Sequence, residues 1–298
     1  MSLRRVAVTA SLLVGVLVAS ALPASAAVDR QHITITPSSA ELSITPGQSD
    51  SGDLSVINQG TDSFKVALAT SPYHVQGIQY DPQFTQLPGT VDASKWVQLT
   101  VPSNTSLAPN DLIHIKYSVS VPAGTQPGGY YAVIFAESSP VGASHGVVTH
   151  NRVGEILYIT VKGKVNTSGK VLPVDMPFID VNGSLPISLR VQNTGGLHFK
   201  TIYTATVTGV FGNQVFTQRD ERYVLPQTER QITIDWKSNV PIGIYRVSRQ
   251  ATGPQGVMKL PDTWVVMVQP WVLLVLIVLI AAFIVGLMRR SQRHRKRK

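Results

Sequence analysis

Few side chains in this sequence have the type and spacing that acid–base or metal chemistry needs. His145 and His150 lie five residues apart in a loop-like stretch, but no cluster of Asp or Glu flanks them, so the metal signal is weak. Glu137 and Glu155 are isolated acids, and nothing marks two carboxylates as a glycosidase pair. We predict no catalytic residue, no metal and no cofactor. A pair of acids brought together only by folding stays an alternative.

A second set of side chains suits binding better than catalysis. Tyr73, Tyr80 and Trp96 fall in the stretch 71–111, which also contains several prolines and glycines. Aromatic side chains are common at recognition sites because they bring a large contact area at low entropic cost. The stretch therefore predicts possible ligand-binding residues, with extra edge strands as the alternative. For Trp96, a place in the hydrophobic core is favoured over contact with a ligand.

The elements that position these side chains are indicated by an internal repeat. The stretch 56–65 matches 191–200 at Val, Asn, Gly, Phe and Lys, and 127–133 matches 241–247 at Pro, Gly, Tyr and Val. Two patterns repeated in the same order indicate two copies of one fold.

Each repeated pattern has a structural interpretation. The first predicts a turn, because Asn bonds its own backbone and Gly tolerates positive φ; its residues are Asn58, Gly60, Asn193 and Gly195. The second resembles the tyrosine corner of immunoglobulin-like sandwiches, in which a Tyr hydroxyl bonds back to the preceding loop. Tyr131 and Tyr245 are then the corner residues, with plain core aromatics as the alternative.

Between the two ends, the chain alternates apolar and polar residues with a period of two, as in Ile113, Ile115, Tyr117, Val119 and Val121. Such alternation is typical of strands with one buried face. We predict an all-β ectodomain of two tandem immunoglobulin-like β-sandwiches, plus one C-terminal transmembrane α-helix. The predicted boundaries are a signal peptide at 1–26, a first sandwich at 27–168 with an insertion at about 71–111, a second sandwich at 169–268, a transmembrane helix at 269–288 and a basic cytoplasmic tail at 289–298.

The two ends predict export and a membrane anchor. Residues 1–26 carry Arg4, Arg5, an apolar run and an Ala-x-Ala site, which is typical of a secretory signal peptide; an uncleaved anchor is the alternative. Residues 271–288 form an uninterrupted apolar run of 18 residues, and seven Lys or Arg follow in the last ten. By the positive-inside rule, the tail is cytoplasmic and the ectodomain is outside a cell membrane that the chain crosses once.

The ends also explain the charge. Two of the basic residues lie in the first 26 positions and seven in the last ten, so the segment between carries no net charge, although the formal total is +9. The basic character therefore belongs to a topogenic tail, and no nucleic-acid partner is predicted. The chain has no cysteine, so an exported domain must be stabilised by its core rather than by disulfides.

Residues 260–264, Leu-Pro-Asp-Thr-Trp, approximate the Leu-Pro-x-Thr-Gly signal of sortase substrates. Trp264 replaces the glycine at the cleavage position, and the residues from Trp264 onward fit the last strand of the second sandwich. We interpret the match as a coincidence and predict an intact anchor.

The order of elements resembles that of the WxL-interacting proteins of Gram-positive-type surfaces. The resemblance is carried by Leu-x-Val-x-Asn at 54–58, Ala-Thr at 69–70, Gly-Ile-Gln-Tyr at 77–80, Ser-Lys-Trp-Val at 94–97 and Gly-Gly-Tyr-Tyr at 128–131. It covers the first predicted sandwich, and the second by architecture only. It implies a peptidoglycan-binding first domain, a host-binding second domain and partners of the WxL type. No ligand-contacting residue is transferred by it.

Together these observations predict a non-catalytic, membrane-anchored surface protein that binds cell-wall polymer or a partner surface protein. The alternative is a membrane-tethered, chaperone-like assembly factor that holds exported proteins by sheet-edge pairing.

Overall fold

The computed structural model describes residues 32–141 and 150–295, with side chains up to residue 287. The predicted signal peptide, His145 and the side chains of the basic tail lie outside the described residues. The described chain is mostly β-strand with one long C-terminal helix, so the predictions of a β-strand fold and of a C-terminal helix are confirmed at that level.

The first group of strands forms two sheets. The strands are β1 (Ile33–Thr36), β2 (Ser39–Ile44), β3 (Ser49–Asn58), β4 (Phe64–Pro72), β5 (His74–Gln76), β6 (Asp81–Gln83), β7 (Val97–Thr100), β8 (Ser106–Leu107), β9 (Leu112–Ser120), β10 (Gly128–Pro140) and β11 (Arg152–Val161). One sheet has the order β1-β3-β9-β7 and the other β2-β11-β10-β4-β8, while β5 and β6 form a separate hairpin. A short 3₁₀ helix, Ala93–Trp96, precedes β7.

These two sheets enclose one hydrophobic core, and together we call them the first sandwich. Leu54 and Val56 of β3 face Phe64 and Val66 of β4 across it, and all four are buried. The alternation in the sequence explains this, since every second side chain of a strand points to the same face. Complete burial of each large apolar side chain contributes roughly 1.5–3 kcal/mol to folding.

The second group of strands repeats the arrangement and forms what we call the second sandwich. Its strands are β12 (Gly169–Pro173), β13 (Ile179–Asp180), β14 (Ser184–Asn193), β15 (Phe199–Gly209), β16 (Gln214–Val224), β17 (Glu229–Lys237), β18 (Ile242–Gly253), β19 (Gly256–Lys259) and β20 (Thr263–Val268). The sheets have the orders β12-β14-β17 and β13-β20-β18-β15-β16, with β19 beside β18. The strands β2 and β13 lie at equivalent sheet edges. Each pairs in parallel with the last strand of its own sandwich, β2 with β11 and β13 with β20.

The repeated Asn-x-Gly pattern has the same hydrogen bonds in both copies. Gly60 N donates to Asn58 Oδ1 at 3.0 Å, and Gly195 N donates to Asn193 Oδ1 at 2.9 Å. Both asparagine side chains are buried, and each amide group donates to two backbone carbonyls. Gly195 also permits a close approach, because a Cβ there would lie 2.8 Å from Asn166 O and Ser168 N.

The predicted tyrosine corners differ from the structure. The hydroxyl of Tyr131 lies 3.2 Å from Nδ1 of His198 in the second sandwich, and it is Tyr130 that donates backward, to Gln126 O at 2.9 Å. Tyr131 is displaced from the corner role because its strand faces the second sandwich at that point. Tyr245 bonds back to the preceding loop through the side-chain oxygen of Ser238, at 3.1 Å, rather than through the backbone.

A single helix, α1 (Pro270–Arg295), follows β20 after one residue. Proline suits the first helical position. The backbone N–H at that position has no partner within the helix, and proline lacks this N–H and has a φ already fixed near the helical value. Within the described residues, its segment Pro270–Leu287 is the one stretch long and apolar enough to cross a membrane, and none of that segment is buried by the rest of the protein.

Candidate binding surfaces

The β5–β6 hairpin of the predicted insertion is fastened to the second sandwich. Ile78 O accepts a hydrogen bond from Gln231 N at 2.8 Å, and the Tyr80 hydroxyl accepts one from Leu225 N at 2.6 Å. The same hydroxyl bonds to Thr228 Oγ1. Tyr80 has φ +66°, an uncommon conformation for a side chain of this size, and these contacts hold it there.

The three predicted ligand-binding aromatics are buried rather than displayed. Tyr73 and Tyr80 are 9% and 7% exposed and belong to the core of the second sandwich, although they come from the insertion of the first. Trp96 is 7% exposed in the core of the first sandwich, with its ring centroid 4.8 Å from that of Tyr130. A packing role is therefore visible for all three, and contact with a ligand stays a prediction.

An aromatic cluster that the sequence did not indicate joins the two sandwiches. The rings of Tyr158 and Tyr223 stack with centroids 4.1 Å apart, and the ring of His198 lies 5.2 Å from Tyr158 and 5.5 Å from Tyr131. Burial raises the pKa of Tyr158 and lowers the pKa of His198. The members come from three strands and the residue before β15, in two sandwiches, so no spacing in the sequence could have revealed them.

Beside this cluster lies a cleft of about 340 Å³ between the sandwiches. Its walls include Tyr73, Tyr130 and Tyr131 on one side and Leu225 and Pro226 on the other. None of its lining residues is Asp, Glu, Lys or Arg. The cleft therefore suits an apolar or aromatic group better than a charged one.

The outer edge of β17 is a second surface. Gln231 N points away from β14, because it donates to Ile78 O in the hairpin of the first sandwich. Alternate residues of an antiparallel strand direct their N–H and C=O groups to the same side, so Thr233, Asp235 and Lys237 direct theirs to that outer side as well. Within the described residues, β14 is the only strand that pairs with β17.

The first sandwich shows what is missing beside β17. Asn58 N donates to Asp111 O and Asn193 N donates to Thr228 O, which makes β9 and β17 equivalent strands. On the outer side of β9 lies β7, with Val97 opposite Val119 and Leu99 opposite Tyr117. The equivalents of Val119 and Tyr117 on β17 are Trp236 and Ile234. No strand of the described residues occupies the corresponding place beside them.

A cavity of about 350 Å³ opens at this incomplete side of the second sandwich. It lies between the start of β16 and the end of β17, and it is lined by Val215, Phe216, Trp236, Val240 and Tyr245 together with Lys237, Ser238 and Asn239. The Trp236 ring lies 4.7 Å from Tyr245 and 6.3 Å from Phe216, between centroids. The cavity is thus an aromatic-walled space directly beside unpaired backbone groups.

The acids singled out in the sequence do not form a pair. Glu137 Oε1 lies 3.7 Å from Nδ1 of His150 on the surface. Glu155 is fully buried, and both its carboxylate oxygens lack a hydrogen-bond partner among the described residues. Burial, with a smaller contribution from the negative charge of Asp53, raises the pKa of Glu155 to about 7. In the part of the chain that the structure describes, no group of three or more His, Cys, Asp or Glu is placed to hold a metal.

A serine pattern of hydrolases lies in the connection between β10 and β11. The sequence at 142–146 is Gly-Ala-Ser-His-Gly, which matches the Gly-x-Ser-x-Gly pattern of hydrolases but lies outside the described residues. In hydrolases that pattern sits on a turn from a strand to a helix. Here the strands on either side, β10 and β11, pair antiparallel, and no helix of the described residues lies between them.

Comparisons with known proteins give structural likenesses only. No protein-family model matches the chain, and no curated protein matches it. Among solved structures, the class 5 fimbriae chaperone CfaA has a TM-score of 0.38 at 12% identity, covering 80% of this chain and 99% of that one. The E. coli chaperone DraB has a TM-score of 0.38 at 15% identity, covering 78% and 98%. The YadV chaperone has a TM-score of 0.39 at 12% identity, covering 78% and 99%. None of these likenesses identifies a function for this chain.

Proposed function

We propose that the protein is a non-catalytic, membrane-anchored receptor that binds an extended segment of an exported polypeptide along the outer edge of β17. The observation that carries this proposal is the position beside Ile234 and Trp236 that β7 fills in the first sandwich and no described strand fills in the second. A strand added there would complete the sheet in the way that β7 completes its counterpart.

The chemistry of this surface suits a β-strand partner. Strand addition takes its affinity from main-chain hydrogen bonds and its specificity from pockets for alternate side chains. Thr233, Asp235 and Lys237 supply the main-chain groups, and the 350 Å³ cavity supplies a pocket at the Trp236 end. Val97 and Leu99 of β7 point into the first core, so the partner would place an apolar side chain in the second cavity.

The rest of the architecture supports attachment to a membrane. In this proposal the sandwiches are two immunoglobulin-like domains outside the cell, α1 crosses the membrane once and the basic tail is inside. The apolar length of Pro270–Leu287 and the seven basic residues that follow support that orientation. Binding of cell-wall polymer, with Tyr73, Tyr80 and Trp96 as possible ligand-binding residues, stays a separate prediction that the same experiment tests.

Two substitutions at one residue test the strand addition. Asp235→Pro removes an outward N–H from β17, whereas Asp235→Ala removes the carboxylate and keeps the N–H. Full-length protein in nanodiscs is immobilised and offered the secreted polypeptides of the same cells, and separately purified peptidoglycan. We expect wild type and Asp235→Ala to retain the same polypeptides and Asp235→Pro to lose them, with a melting temperature close to that of wild type.

Two outcomes contradict the proposal. One is retention of the same polypeptides by a folded Asp235→Pro variant, since the N–H would then be irrelevant. The other is retention of peptidoglycan with no polypeptide, which would favour cell-wall binding.

A further inference from the structure

The loops at the end of the second sandwich from which α1 leaves carry no charge and expose several apolar side chains. Three loops form this end, at 181–183, 209–213 and 238–241, and none of them contains Asp, Glu, Lys or Arg. Phe211, at the tip of the β15–β16 connection, is 96% exposed. Val181, Val210, Val240 and Ile242 are also exposed at this end. An apolar set of this kind on the surface of a soluble domain marks a contact with a partner or a membrane.

The helix is fixed to these loops rather than joined by a free linker. Gln269 N donates to Pro241 O at 2.8 Å, and the Gln269 side chain donates to Ser238 O. Gly183 packs on the same point, because a Cβ there would lie 2.6 Å from Gln269 Oε1 and 3.4 Å from Cδ of Pro270. The position of the helix therefore sets the position of the loops.

Strand register gives the height of each loop above the helix. Ile242 is opposite Val268, two residues before Pro270, and Gly209 is opposite Tyr245. At roughly 3.3 Å per residue, the exposed side chains lie about 3–10 Å from the level at which the helix begins. The polar layer of a bilayer is roughly 5–8 Å thick on each side. Ile242 therefore lies at the depth of the headgroup layer and Phe211 at its outer boundary.

We infer that this end of the second sandwich is seated in the headgroup layer of the membrane, with Ile242 closer to the hydrocarbon core and Phe211 at the outer boundary of the layer. The inference rests on the proposed membrane anchor and adds a lipid-binding surface to it. Trp271, exposed at the first turn of α1, contributes the amphipathic ring usual at that depth. Contact of these loops with the headgroups would fix the distance between the membrane and the open edge of β17, because Lys237, the last residue of β17, adjoins the loop 238–241.

The absence of cysteine makes a site-specific test direct. Three single-cysteine variants, Phe211→Cys, Val257→Cys and Ile280→Cys, are labelled with an environment-sensitive fluorophore in the full chain in nanodiscs. Val257 is the matched control: it is an exposed apolar residue opposite Thr252, ten positions along β18 from Ile242 and so about 33 Å from the proposed seat. Ile280 lies within α1 and reports on the anchor itself.

We expect the probe at 211 to be quenched by lipids brominated near the headgroup and to be protected several-fold from aqueous iodide relative to the probe at 257. We expect the probe at 280 to be quenched by lipids brominated near the bilayer centre. Equal iodide quenching at 211 and 257, with 280 still quenched from the bilayer centre, would overturn the seat and leave the anchor intact. Failure of quenching at 280 would overturn the anchor and the seat with it.

Discussion

The two sandwiches share a strand order and a turn, yet they differ along one side. In the first, β7 lies beside β9 and its residues Val97 and Leu99 pack in the core. In the second, the equivalent strand β17 is paired on one side only among the described residues, and Trp236 replaces Val119 at the open position. The repeated parts are therefore the parts that fold the chain, and the unrepeated side is the edge that we propose as the binding surface.

The insertion of the first sandwich contributes to this difference in an unexpected way. Its β5–β6 hairpin donates Tyr73 and Tyr80 to the core of the second sandwich and caps the start of β17 at Gln231. The insertion thus fastens one copy to the other, and it leaves only the later part of the β17 edge open. A comparison of the copies by length alone could locate the insertion, but it could not show which copy the insertion stabilises.

The largest effect is expected at the repeated turn. Asn58→Ala and Asn193→Ala each remove the three hydrogen bonds of a buried side chain and leave backbone groups without partners, so each should lower the free energy of unfolding by about 4 kcal/mol. Denaturant unfolding of the two variants measures it. If one substitution costs much less than the other, the two turns are not energetically equivalent. Asn104→Ala, at an exposed turn in the first sandwich, is the control and should cost far less.

That repeat is also the part of the fold that the sequence predicts best. Asn, Gly and alternating apolar residues act locally, so a turn or a strand can be recognised within a few positions. A further matching segment was missed: Pro109-Asn110-Asp111 and Pro226-Gln227-Thr228 occupy the same place, with Asn110 and Gln227 both at positive φ. Only the proline is identical between the two segments. What they share is backbone conformation, and this is difficult to recognise from the residue types alone.

The candidate site was much less predictable than the fold. Tyr158, His198 and Tyr223 are in contact only because the two sandwiches pack against each other. The open edge of β17 is recognised only when its sheet is compared with the sheet in which β7 pairs with β9. Both features depend on which strands become neighbours, and period-two alternation is the same for a central strand and an edge strand. For this reason Tyr73 and Tyr80 could be selected as functional aromatics from the sequence, although the structure buries them between the sandwiches.

The next effect concerns the buried charges, which also differ between the copies. Arg249 in the second sandwich donates to Val174 O, Ser188 O and Thr263 Oγ1, whereas Glu155 in the first has no partner among the described residues. The pKa of Glu155 is raised to about 7 in the folded state from an ordinary value of 4.5. Between these two pH values the folded protein therefore binds more protons than the unfolded chain. Its stability should therefore fall as pH rises from about 4.5 to above 7.

Glu155→Gln removes this dependence, since the amide does not ionise. We expect the variant to gain about 3 kcal/mol over wild type at pH 8 and little or nothing at pH 4.5. Thermal or denaturant unfolding across that range measures the difference. The exposed Asp81→Asn is the control and should leave the wild-type profile unchanged. A gain for Glu155→Gln that is the same at both pH values would show that the carboxylate is not the titrating group.

The smallest effect compares the equivalent turn residues Asn110 and Gln227, which have φ values of +66° and +56°. Glycine adopts this conformation without steric cost, so Asn110→Gly, at an exposed position, should raise the free energy of unfolding by up to about 0.5 kcal/mol. Gln227→Gly gains the same relief but loses two hydrogen bonds from Nε2 to Thr194 O and Gly195 O, each 3.0 Å, so it should be destabilising. Opposite signs in denaturant unfolding would show that the second copy uses this side chain to brace its turn. Equal gains would mean that the two carbonyls are satisfied as well by water, and the two turns would then be equivalent in energy as well as in shape.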